Sequence, residues 1–141
     1  MIAYLDASVV LRLVLEAPDP LREWPELEEG IASALLRVEC YRTLERLWHN
    51  GELTDDELTR HRLQIETLIG RLQMFDVGDD VLRLAADPLP THLKTLDALH
   101  LATAILFRRS PAAESQRILF ATHDKLLAKA ARELHFEVIG T

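Results

Sequence analysis

Two rhythms of apolar residues alternate along this chain: short continuous runs, and longer stretches repeating every three or four residues. Ile2-Ala3-Tyr4-Leu5 is a short run ended by Asp6 and predicts a buried strand. Residues 8–15 are almost continuously apolar, the pattern of a short helix packed under a sheet, and Pro18 and Pro20 stop it. A weaker helix is expected over 21–28, with Gly30 interrupting the pattern before Ile31-Ala32-Ser33. Leu36, Cys40, Leu44 and Leu47 mark a helix over 35–48, closed by Asn50-Gly51. Thr54, with Glu57 three residues on, forms a capping box for a helix reaching about residue 69. A strand over 72–77 and a helix over 79–86 follow, before Pro88 and Pro90. A strongly apolar helix begins at Thr95 or Leu96 and reaches Phe107. The clearest strand is 117–121; a helix over 123–134 and a strand over 136–139 close the chain.

Short apolar strands alternating with amphipathic helices predict an α/β fold, a three-layer α/β/α sandwich with a mostly parallel central sheet. The 141 residues suit one domain, 1–141, large enough to hide roughly 70% of its unfolded surface. Ligands of such sheets bind at the carboxyl ends of the strands, so chemistry is sought there.

The single cysteine, Cys40, excludes a disulfide framework and a multi-cysteine zinc site. No basic segment leads into an apolar signal region, and no run of about eighteen apolar residues occurs. The expectation is a soluble protein of a reducing, cytoplasmic compartment with no membrane partner. A net charge of −7 weighs against a broad basic face for nucleic acid. A bound cation inverts the local sign of a site, however, and the basic residues (Arg12, Arg37, Arg42, Lys94, Arg108, Arg109 and Lys125 among them) are scattered.

Acidic residues at these strand ends and helix starts carry the candidate chemistry. Asp6 follows the first strand and reads equally as a helix cap. Glu39 projects from the inward side of its helix, where an unpaired charge is costly; it needs a cation or an internal salt bridge, for example to an arginine. Asp97 shares a helical face with His100, Leu101 and Ala104, although stabilisation by the helix dipole would serve as well facing outward. Asp124 follows the 117–121 strand, where Thr122 is a good cap and Asp124 an ordinary first-turn acid. Asp76 reads as a turn residue. Taken together, oxygen donors without a cysteine cluster suit a hard cation, Mg2+ or Mn2+.

On these residues the chain resembles a PIN domain of the VapC toxin type. Tyr4-Leu5-Asp6-Ala7-Ser8, Leu36-Arg37-Val38-Glu39, Thr95-Leu96-Asp97-Ala98-Leu99-His100-Leu101-Ala102-Thr103-Ala104 and Phe120-Ala121-Thr122-His123-Asp124 match that family's motifs in order and spacing. The resemblance implies a metal-dependent endoribonuclease, the toxin of a type II toxin–antitoxin pair. Asp6, Glu39, Asp97 and Asp124 would be the catalytic, metal-binding quartet, with Ser8 and Thr122 supporting it. His100 is read as a packing or supporting group rather than a ligand. The implied partners are an RNA substrate (a tRNA or rRNA), a cognate antitoxin and a second copy in a homodimer, for which the helices over 35–69 offer apolar residues. Two alternatives stay open: a PIN-like RNA- or protein-binding module with little nuclease activity, and an aspartyl phosphotransfer enzyme. The second fits poorly, because Asp6-Ala7-Ser8 lacks the further Asp two residues on.

Overall fold

The computed structural model describes residues 1–141. Five strands, β1 (Ile2–Leu5), β2 (Glu29–Ser33), β3 (Gln73–Phe75), β4 (Ile118–Ala121) and β5 (Glu137–Ile139), form one sheet in the order β3-β2-β1-β4-β5. Every pairing is parallel. Six α-helices cover it: α1 (Ala7–Val14), α2 (Leu35–His49), α3 (Asp55–Ile69), α4 (Asp79–Ala86), α5 (Thr95–Arg109) and α6 (Lys125–Glu133).

Alternation along the strands divides the core. Tyr4, Ile31 and Phe120 point to one face, where they meet Leu101, Ala104 and Phe107 of α5 and Leu127, Ala130 and Ala131 of α6. On the other face Ala32 packs with Val10, Leu36, Leu44 and Ile65 from α1, α2 and α3. The α/β/α sandwich with a parallel sheet is therefore as expected. Strand order reverses direction between β1 and β4, and the carboxyl ends of these two strands open the crevice where such sheets bind ligands.

Two expectations need correction. The weak helix over 21–28 does not form; only a single 3-10 turn, Trp24–Glu26, exists. Pro25 removes a backbone donor there, and the Glu28 amide instead donates to the Met1 carbonyl, leading the chain into β2. Gly30, read as an interruption, is the second residue of β2 and pairs with Ala3. A side chain at Gly30 would bring its Cβ within 2.5 Å of Leu72 Cδ2 and 3.1 Å of Leu5 Cδ1. The glycine thus marks a close approach inside a strand rather than its absence. At the other end of the chain, α6 begins at Lys125 rather than His123, because Asp124 is the cap.

Candidate active site

The candidate residues come from two strand–helix junctions and from the early turns of two helices, α2 and α5. Asp6 ends β1 and caps α1, its backbone N–H donating to the Ala121 carbonyl (3.1 Å) and so tying β1 to the end of β4. The residue is 5% exposed. Oδ2 accepts from Ser8 Oγ (2.7 Å), from Thr122 Oγ1 (2.9 Å) and weakly from the Ser8 amide (3.4 Å). The capping role and the site role coincide: Oδ2 is consumed by the fold, and Oδ1 faces the pocket, 4.0 Å from His100 Nε2.

The β4–α6 junction presents Thr122 and Asp124. Thr122 Oγ1 accepts from the Asp124 amide (3.0 Å) while donating to Asp6, and Ser8 Oγ accepts from the His123 amide (3.0 Å). Asp124, not Thr122, caps α6: Asp124 Oδ1 accepts from the Leu127 amide (2.8 Å). The carboxylate remains exposed.

This junction leans on Gly140, whose φ of +96° belongs to the left-handed region and whose carbonyl accepts from His123 Nδ1 (2.8 Å). A Cβ at Gly140 would sit 2.6 Å from the Thr122 carbonyl oxygen, a backbone atom. Gly140→Ala is expected to cost about 2 kcal/mol, from positive-φ strain plus displacement of Thr122. A urea titration measures the stability loss, and a parallel assay of the site's activity should fall because Thr122 holds Asp6.

Glu39 lies on the second turn of α2, its side chain 19% exposed. The internal partner anticipated for it is His100 rather than an arginine. His100 Nε2 hydrogen-bonds to Glu39 Oε1, and Nδ1 lies 2.7 Å from the Tyr4 hydroxyl. Tyr4 and His100 are both fully buried. Tyr4 took no part in the candidate chemistry read from sequence, because an aromatic residue in a buried strand looks like core.

Asp97, in the first turn of α5, is half-buried. Burial, then the charges of Asp6 and Asp124, push its carboxyl up to about 6, with Glu39 adding to the rise and His100 opposing it. The other three acids therefore all act on Asp97. Burial disfavours a charged His100 ring, yet its hydrogen bond to Glu39 and the charges of Glu39, Asp6 and Asp97 outweigh this and raise it. Cys40 is pushed up to about 12 by burial, with Glu39 and Asp6 adding, so its thiol is inert. Asp76 stays an exposed residue after edge strand β3.

Ligand-type atoms of Asp6, Glu39 and His100 lie within 4.8 Å of one another. The donor set fits a hard divalent cation, since carboxylate oxygens dominate it and their mutual repulsion is what a cation relieves. The chain is thus a parallel α/β/α protein with an acidic cluster at the switch point of its sheet. The PIN domain profile matches residues 3–133, and the chain belongs to the PIN domain family. It is 30% identical over 140 residues to Ribonuclease VapC47 of Mycobacterium tuberculosis, covering 94% of this chain and 92% of that protein. With Ribonuclease VapC46 of the same species the identity is 32% over 140 residues, covering 97% and 95%. Among solved structures, VapBC2 from Rickettsia felis bound to a promoter DNA fragment superposes with a TM-score of 0.64 at 13% identity, covering 98% of this chain and 97% of that one. FitAcB from Neisseria gonorrhoeae gives 0.63 at 19%, covering 98% and 96%. At these identities the structural likeness speaks to the fold alone.

Proposed function

We propose that this chain is a metal-dependent endoribonuclease, hydrolysing RNA phosphodiester bonds as the toxin of a type II toxin–antitoxin pair. The observation that supports the reading is the nearness of Asp6 and Glu39 at the end of β1, with one Asp6 oxygen locked by Ser8 and Thr122, and with the charges of Asp6, Asp124 and Glu39 all raising Asp97. The ribonuclease names of relatives spanning nearly the whole chain support it.

Asp6, Asp97 and Asp124, with Glu39, would hold Mg2+ or Mn2+, which when bound supplies Lewis-acid stabilisation of phosphate charge and a more acidic water. Ser8 and Thr122 orient Asp6 so that Oδ1 alone faces the pocket. Glu39 has one oxygen engaged by His100; its other oxygen completes the ligand shell or takes a proton from the attacking water. Asp97 and Asp124 are more exposed than Asp6, and the exposed Lys94 and Lys125 near them in the chain suit phosphate contacts.

The substrate would be a structured RNA, a tRNA or rRNA loop, and the partners an antitoxin and a second copy of the chain. A toxin–antitoxin complex from Klebsiella pneumoniae shares the fold (TM-score 0.60). The exposed apolar side chains Val38, Trp48 and Leu63 on α2 and α3 suit the homodimer face. No helix is long and apolar enough to cross a membrane.

The test is incubation of purified protein with total RNA in Mn2+, Mg2+ or EDTA, followed by mapping of new RNA ends. Discrete cuts that need the metal are expected. RNA that is bound but left intact under every condition would turn the reading to a binding module.

A further inference from the structure

We propose that Tyr4 and His100 form a buried relay that holds the Glu39 carboxylate at the acidic pocket, with His100 acting as a hydrogen-bond donor and not as a metal ligand. The inference rests on reading Glu39 as part of a metal-holding site, and it makes both residues positioning residues.

The geometry runs in a line from core to pocket. Tyr4 is clamped between Phe120, stacked on it with ring centroids 5.3 Å apart, and the edge of His100, at 6.0 Å and 68°. Its hydroxyl meets His100 Nδ1 at 2.7 Å, and the opposite ring nitrogen, Nε2, bonds Glu39 Oε1. Neither Tyr4 nor His100 has solvent access, so each ring nitrogen has only its protein partner.

Hydrogen-bond chemistry then decides the ring's role. An ionised carboxylate only accepts, whereas a phenol both donates and accepts. In a neutral ring, the arrangement that satisfies both contacts places the proton on Nε2, donating to Glu39, and lets Nδ1 accept from the Tyr4 hydroxyl. In a doubly protonated ring, Nδ1–H donates to the Tyr4 oxygen and Nε2–H still donates to Glu39. Both states leave Nε2 without the lone pair that a ligand needs. The nearness of Asp6, Glu39 and His100 is therefore two carboxylates with a nitrogen behind one of them, not a three-ligand set. Glu39, with three rotatable bonds and a partly exposed head, needs such an anchor; Asp6 already has Ser8 and Thr122.

Calorimetric Mn2+ titration of the whole protein, with a thermal melt of each variant, tests the relay. His100→Leu is expected to weaken Mn2+ binding by roughly 10–100-fold. His100→Gln places an amide N–H near the Nε2 position and should stay within about threefold of the wild type. Tyr4→Phe removes the group that fixes the tautomer and should weaken binding several-fold. In the His100→Gln background, where no tautomer exists to fix, Tyr4→Phe should have no further effect; a merely structural role for Tyr4 would persist there. If His100→Gln binds as weakly as His100→Leu, the ring is a ligand and the relay is overturned. An undiminished Tyr4→Phe effect in the His100→Gln background overturns it as well. Wild-type protein that takes up no Mn2+ overturns the metal reading, and the relay's role with it. Should His100→Leu fail to fold, the comparison of Tyr4→Phe with and without His100→Gln still decides.

Discussion

Asp6→Asn is expected to reduce RNA hydrolysis at least about a thousandfold while leaving the fold intact. Asp6 does two jobs, and asparagine separates them. As an N-cap, Asn is about as good as Asp, so α1 keeps its start. The amide oxygen has to occupy the Oδ2 position, because Ser8 Oγ and Thr122 Oγ1 donate there. The amide NH2 then replaces Oδ1, putting a donor where the pocket needs an anionic acceptor. Loss of about 4 kcal/mol of transition-state stabilisation corresponds to about a thousandfold in rate. Asp6→Ala should be inactive too, but also less stable by at least about 1 kcal/mol, since the cap is lost and two hydroxyls lose their acceptor. Initial rates on an RNA oligonucleotide, paired with urea unfolding of both variants, measure the two effects. Asp6→Asn activity within tenfold of the wild type would leave Asp6 as a cap only and remove it from the proposed catalytic site.

The second large effect is an inversion of stability at Asp97. Its folded-state carboxyl titrates at about 6, above the ordinary carboxylate value, so the folded chain holds that proton more tightly than the unfolded chain does. Asp97 therefore contributes relative stability below about pH 4, and this is lost as pH rises through about 6. In EDTA at pH 7.5, Asp97→Asn should be more stable than the wild type. For a half-exposed carboxyl, screened by water, the gain is roughly 1 kcal/mol, or about 3 °C in Tm. Well below pH 4 the carboxyl is protonated in the folded and unfolded chains alike, and the two proteins should melt together. Added Mn2+ reverses the order: at about 100-fold over Kd a ligand stabilises by about 2.7 kcal/mol, and only the wild type retains the full donor set. Thermal melts across this pH range, with EDTA or Mn2+, read the crossover directly. Melting curves that keep the same order in both conditions would remove Asp97 from the proposed ligand shell.

The capping interpretation of Asp6 was correct, the cap of α6 falls on Asp124 instead of Thr122, and neither cap competes with the site. Both residues cap helices, and both cap helices that begin where β1 and β4 end. A parallel sheet places helix starts beside strand ends, so the amides that need a cap and the crevice that binds ligands lie together. The same economy explains Thr122, which receives the Asp124 amide and donates to Asp6. The missed strand β2 has a different origin. Glu29-Gly30-Ile31-Ala32-Ser33 carries only two residues of strong apolar character, and its stability comes from lying between β1 and β3. No local pattern reports a neighbour that arrives from elsewhere in the chain.

Periodicity alone, acting within a dozen residues at a time, established the alternation of strands and helices, the parallel α/β class and the positions of four acids near strand ends and helix starts. Those properties are local, because side-chain direction follows from backbone repeat. What the tertiary structure decided is which groups meet: that Glu39 is answered by a histidine 61 residues away and not by an arginine, and that Tyr4 stands behind that histidine. Pairings of this kind depend on helix α5 crossing the sheet beside β1 and β2, and that packing is set by the volumes of the whole core rather than by any segment of the chain.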